Sequence, residues 1–114
     1  MQNEYSTLPA LTLVLGGASS GKSVWAESLI VQQMGGKSEI ATYIATATAT
    51  DDEMEKRIIR HRDRRGDKWH TVEEPLDLVK SLHEHANPVR PVLVDCLTLW
   101  LSNIMLAKRE VAFE

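Results

Sequence analysis

Only one cysteine, Cys96, stands among the 114 residues. A lone thiol builds no disulfide framework and no cysteine-rich zinc site, so a reducing, cytoplasmic setting is the expectation. Aromatic residues make up only 5% of the chain. No apolar run approaches the roughly 20 residues that a bilayer-spanning helix needs, which argues against membrane insertion. Met1 to Ala10 is polar and lacks the apolar stretch of a signal peptide. A large charge of one sign is missing too: the formal net charge is −3, which gives no electrostatic case for nucleic acid as a partner. Basic residues do cluster locally, between Lys56 and Lys68. No internal repeat or low-complexity tract is present, and Ala45 to Thr50 is an Ala/Thr-rich connection. Hydrophobic content of 43% and charged content of 25% fit an ordinary soluble globular protein. The expected organisation is a tail over residues 1–10 and one domain over residues 11–114.

What is present begins with Gly16, Gly17, Ala18, Ser19, Ser20, Gly21, Lys22 and Ser23. The run fits G-x-x-x-x-G-K-[ST], the phosphate-binding P-loop, at every position. Glycines let successive backbone N–H groups turn inward around a phosphate. Lys22 then reaches the β- and γ-phosphates, and the Ser23 hydroxyl ligates Mg²⁺. The flanks agree. Leu11–Leu15 reads as a buried strand entering the loop, and Ala26, Leu29, Ile30 and Met34 follow at helical spacing until Gly35-Gly36.

Further on, Glu39–Ala45 reads as a second strand. Thr50 as N-cap and Glu53 at the third helical position resemble a capping box. A charged helix is predicted from about Asp52 to Arg64, with Met54 and Ile58 on its apolar side and Gly66 ending it. Trp69–Val72 is a short extended segment, and Pro75 opens a helix running to about His85. Asn87-Pro88 breaks that helix, Pro91–Asp95 is a strand ending in a carboxylate, and Leu97–Ala107 is an amphipathic helix. Strands alternating with helices predict an α/β fold of the P-loop NTPase type, a mainly parallel sheet flanked by helices. Ligands bind beyond the carboxyl ends of such strands, where the P-loop, the Ala45 region and Asp95 converge. Only three strands are visible, so the chain is expected to be an incomplete part of a longer domain.

Asp95 suits two roles, a Walker-B carboxylate holding Mg²⁺ beside Ser23 or a plain strand-ending helix cap; its position after a P-loop favours the first. On the charged helix, spacings of four and three put Arg57, His61 and Arg64 or Arg65 on one face. That stripe is either a solvated basic surface or a triphosphate-binding face with a histidine nucleophile in its middle. Nearby cations favour the neutral imidazole with a free lone pair, as a nucleophile requires. His83-Glu84-His85 has its histidines two apart, on different sides of a helix, and lacks a metal-binding pattern. Trp25, Trp69 and Trp100 sit on separate elements and read as packing residues rather than base-stacking platforms. Glu73 and Glu74 form an acidic stretch before Pro75 that suits a turn.

Together, the P-loop run, Tyr43-Ile44-Ala45-Thr46, Asp51-Asp52-Glu53-Met54 with Arg57-Ile58 and His61-Arg62, Trp69 to Glu73, and Val94-Asp95-Cys96-Leu97-Thr98 resemble one family. It is the bifunctional adenosylcobinamide kinase/adenosylcobinamide-phosphate guanylyltransferase family of cobalamin biosynthesis, and the resemblance spans about Leu11 to Leu106. The P-loop alone would not single it out; the Asp-Asp-Glu-Met helix leading to His61, then Arg65 and Trp69, is the specific part. The resemblance implies phosphorylation of adenosylcobinamide by a nucleoside triphosphate, ATP or GTP. It then implies guanylylation of a histidine by GTP and passage of GMP to adenosylcobinamide phosphate, giving adenosylcobinamide-GDP. It maps the histidine onto His61, the second nucleotide-contacting segment onto Ala45, Thr46 and Ala47, the stretch after the histidine onto Arg62, Asp63, Arg64 and Arg65, and acidic nucleotide contacts onto Glu73 and Asp95. It also implies Mg²⁺, a fold related to the recombinase core, and a homotrimer. Two departures stand out: Ser19 replaces the family's usual arginine, removing a cation near the phosphates, and family chains continue well beyond Glu114.

The P-loop alone also admits two rival readings. One is a kinase of another small molecule with a structural His61; the other is a non-enzymatic nucleotide switch, against which stands the lack of a guanine-specific Asn-Lys-x-Asp motif.

Overall fold

A computed structural model describes residues 10–16, 21–34 and 39–112. Three strands form one parallel sheet in the order β2-β1-β3: β1 (Ala41–Ala45), β2 (Trp69–Glu73) and β3 (Val92–Asp95). The helices are α1 (Lys22–Gln33), α2 (Asp52–Arg65), α3 (Leu78–His85) and α4 (Leu97–Ala112), and a 3-10 turn over Gly66–Lys68 leads into β2. The predicted α/β class, a P-loop-type parallel sheet with flanking helices, is the one observed.

The sequence of β1, Ala-Thr-Tyr-Ile-Ala, suits its central place. Strands on both sides take its backbone groups, and Ala41, Thr42, Tyr43 and Ile44 are buried. Leu29 of α1, Leu78 of α3 and Leu93 of β3 complete the buried apolar set among the described residues. Register shapes the sheet edge: Ala45 stands opposite both Glu73 of β2 and Asp95 of β3, so the three strands end level. Thr46, fully buried, then locks that edge. Its N–H donates to Asp95 O, its Oγ1 accepts from Cys96 N at 2.9 Å and donates to Cys96 O at 2.8 Å, and its carbonyl accepts from Asn103 Nδ2 of α4 at 2.9 Å.

Helix α2 begins one residue later than the capping box suggests. Asp51, not Thr50, is the N-cap, and its carboxylate accepts from Met54 N at 2.8 Å. A carboxylate there answers both the open N–H groups and the helix dipole, and the same dipole favours Arg62, Arg64 and Arg65 in the last turn. Gly66 stops the helix at φ 75° and ψ −158°, a conformation essentially confined to glycine. Pro75 does not open α3. The Glu74 carboxylate instead accepts from Leu76 N and Asp77 N, shaping a turn, and Asp77 caps the helix that starts at Leu78. His85 Nδ1 lies 2.8 Å from Ser81 O, and Glu84 pairs with Lys80, so this helix end uses its polar groups locally.

Two expectations require correction. Leu11–Leu15, read as a buried strand, lies in no ladder; Leu11, Leu13 and Leu15 are 91%, 68% and 82% exposed. An apolar run becomes a strand only where another strand takes its backbone groups, and β3 does not pair with this segment. With α1 and β3 it lines a groove instead. On α4 the apolar stripe is also largely open, with Leu97, Leu101 and Met105 exposed. Its polar anchors hold it: Trp100 Nε1 donates to Leu76 O at 2.8 Å, and Asn103 Nδ2 reaches Thr46 O and Pro75 O. The Gly35-Gly36 helix stop and most of the 1–10 tail lie outside the described residues.

Candidate active site

Level strand ends place Ala45, Glu73 and Asp95 along one edge, and the start of α1 and one face of α2 close over it. The result is a cleft of about 460 Å³, within the usual range of small-ligand sites. Gly21, Lys22 and Ser23 form one wall, Ala45, Ala47, Glu73 and Asp95 the floor, and Met54, Arg57, Ile58, His61 and Arg65 the opposite wall. The helical spacing of four explains that last wall. Arg57, His61 and Arg65 stand one turn apart and share a face.

Gly21 enters α1 in the left-handed conformation, φ 80°, which turns the chain sharply into the helix. Lys22 Nζ donates to Gly16 O at 3.1 Å, so the lysine folds over the loop it follows. Ser23 Oγ donates to Asp95 Oδ2 at 3.0 Å, joining two residues 72 positions apart. A hydroxyl and a carboxylate side by side are hard oxygen donors, the kind Mg²⁺ takes together with phosphate oxygens, and so these residues fit that ion. Gly17, Ala18, Ser19 and Ser20 lie outside the described residues.

Sequence reasoning missed Tyr43. Its hydroxyl also donates to Asp95 Oδ2, its ring meets Trp69 edge-on at 5.8 Å between centroids, and the Arg65 guanidinium lies 3.6 Å over its face. Burial, then the Asp95 carboxylate, pushes the phenol well above its ordinary range, so it stays a donor. The hint available in the sequence was a tyrosine inside an otherwise small or aliphatic central strand.

The two arginines that end α2 have structural partners. Arg65 holds the Tyr43 ring and donates to Thr71 Oγ1 at 3.1 Å while still bordering the cleft. Arg64 points the other way and pairs at 3.0 Å with Glu27, a carboxylate buried on α1. Arg62 and Asp63 are exposed and, like Arg64, stand outside the cleft wall. Thr46, expected at the nucleotide, is turned away, because all its polar groups tie the sheet edge to β3 and α4. The structure thus gathers His61, Gly21, Lys22, Ser23, Ala45, Ala47, Arg65, Glu73 and Asp95, and adds Arg57.

Comparison with known proteins bears on this assembly. Residues 12–114 match the family model described as cobinamide kinase / cobinamide phosphate guanyltransferase. A bifunctional adenosylcobalamin biosynthesis protein of Pseudomonas aeruginosa, CobP, is 51% identical over 94 residues, covering 82% of this chain and 52% of its own length. The CobU proteins of Escherichia coli and Salmonella typhimurium, which carry the same description, are 43% and 38% identical over 95 and 97 residues. Those alignments cover 83% and 85% of this chain, and 50% and 51% of the relatives. The chain therefore spans about half the length of the curated relatives it matches. With a match running through the P-loop, the α2 histidine and the Asp95 strand, it belongs to the cobinamide kinase / cobinamide phosphate guanyltransferase family.

Proposed function

We propose that this chain supplies the nucleotide-binding and nucleotidyl-transfer centre of a bifunctional enzyme that phosphorylates adenosylcobinamide and then attaches GMP to adenosylcobinamide phosphate. One observation carries the reading: His61 stands on the wall opposite Lys22, Ser23 and Asp95 in a single cleft. A triphosphate held by the P-loop would run toward that imidazole.

In the kinase step no protein nucleophile is needed. The backbone cradle and Lys22, released from Gly16 O, position the γ-phosphate for the substrate hydroxyl. Ser23 and Asp95 would hold Mg²⁺, which supplies charge neutralisation at the phosphate oxygens. In the second reaction the His61 lone pair attacks the α-phosphorus of GTP. A P–N bond forms, the α–β P–O bond breaks and pyrophosphate leaves. An oxygen of adenosylcobinamide phosphate then attacks the same phosphorus, the P–N bond breaks, and free His61 returns with adenosylcobinamide-GDP as product. Arg57, one turn from His61, and Arg65 supply positive charge to the phosphate oxygens during both displacements. Splitting the transfer through a covalent intermediate lets GTP and the corrinoid occupy the cleft in turn. ATP or GTP as kinase donor, a cytoplasmic setting and a homotrimer belong to the same reading, supported by the match to bacterial cobalamin biosynthesis proteins.

The test uses GTP labelled at either the α- or the γ-phosphorus, with Mg²⁺, the parent chain and His61→Ala. Acid-labile α-label retained on the denatured parent and absent from the variant supports the reading. Equal labelling of both proteins, or label only from the γ-position, contradicts it.

A further inference from the structure

The Tyr43 side chain is placed more exactly than packing requires. It sits on the central strand, 5% exposed, where a phenylalanine would fill the same space and keep the same ring contacts. The hydroxyl goes to Asp95 Oδ2, the oxygen that also receives Ser23. One carboxylate oxygen thus takes two hydroxyl donors, one from α1 and one from β1. Together they fix the rotation of the carboxyl group and hold it as the acceptor-only, ionised form. The opposite face of the ring environment is equally committed: Arg65, at the end of the His61 helix, lies over it and is held in place by Thr71.

We propose that Tyr43 is a positioning residue for the divalent cation: its hydroxyl orients the Asp95 carboxylate so that Asp95 and Ser23 present their oxygens to Mg²⁺ on a bound nucleoside triphosphate. The inference rests on the reading of Ser23 and Asp95 as the Mg²⁺ pair and adds the group that holds them ready. Outer groups that orient a metal's ligands typically change metal affinity about 10- to 100-fold when removed, because a free carboxylate must be fixed anew at each binding event. A group that merely packs changes stability instead.

The experiment titrates Mg²⁺ into the 114-residue chain with a ribose-labelled fluorescent GTP analogue, for the parent, Tyr43→Phe and Asp95→Asn, beside thermal denaturation of each. Phenylalanine retains the ring under Arg65 and against Trp69. The expected result is a Mg²⁺ midpoint raised about 10-fold or more in Tyr43→Phe, with the signal at saturating Mg²⁺ close to the parent's. A Tyr43→Phe midpoint equal to the parent's, while Asp95→Asn loses the Mg²⁺ dependence, overturns the role of Tyr43 and leaves the metal pair standing. Nucleotide binding by the parent with no Mg²⁺ dependence overturns both.

Discussion

Removing the Arg64 guanidinium tests whether the last turn of α2 serves the fold or the nucleotide. The Glu27 side chain is 8% exposed and that of Arg64 is 42% exposed, with nitrogen and oxygen 3.0 Å apart. Deleting one member of a fully buried pair costs about 3–5 kcal/mol, because the other charge is stranded, whereas exposed pairs contribute about 0–1 kcal/mol. This pair lies between those limits, with the carboxylate on the buried side. Arg64→Ala should therefore cost about 2 kcal/mol, a fall of roughly 8 °C in Tm for a chain of this size. Glu27→Gln removes the stranded charge, and a double-mutant cycle by urea denaturation should return a coupling of at least about 1 kcal/mol. GTP affinity at a temperature where all variants are folded should hardly change. Stability losses that add to within about 0.3 kcal/mol would refute the pairing argument. So would an unchanged Tm with weakened GTP binding, since Arg64 would then face the phosphates.

Single contacts set three further outcomes. Thr46→Val strips both partners from the Cys96 backbone and should cost about 2–4 kcal/mol in denaturant unfolding, whereas Thr46→Ser keeps the hydroxyl and most of the stability. Gly66→Ala places a side chain in open space but at φ 75°, so its cost, about 1–3 kcal/mol of unfolding free energy, is purely conformational. Tyr43 has a folded-state pKa raised above its ordinary value near 10, so its contribution is fully present below that pH. Above it the unfolded chain releases the phenolic proton while the folded chain keeps it, so stability should fall with a slope approaching about 1.4 kcal/mol per pH unit. Urea unfolding across that range should show a shallower fall for Tyr43→Phe, and equal slopes would count against a buried, carboxylate-bonded phenol.

Local pattern revealed much of this arrangement. The β1, β2 and β3 segments, α2 and α4 all sit near where period and punctuation put them, and the run from Gly16 to Ser23 and the strand-ending Asp95 marked the edge where the cleft forms. The failures share a physical cause. Leu11–Leu15 has a strand's composition, but pairing is decided by a neighbour that no local window contains. The spacing along α2 left Arg64 and Arg65 both open, and only the packing of α1 on one side and β1 on the other separated them. Tyr43 and Asp95 are 52 residues apart, and nothing near either residue announces the contact. Thr46 followed from the resemblance as a nucleotide contact, while its buried hydroxyl and backbone are spent holding Cys96 and Asn103.

The most direct measurement asks which imidazole carries GMP. The chain has four histidines, and among them only His61 lines the cleft; His70, His83 and His85 belong to β2 and α3. The parent chain, treated with GTP and Mg²⁺ and digested under alkaline conditions that preserve phosphoramidates, would be mapped by tandem mass spectrometry. GMP on the His61 peptide alone is the predicted result. GMP on one of the other three histidines, or on none while GTP still binds, would contradict the assignment of His61 as the nucleophile.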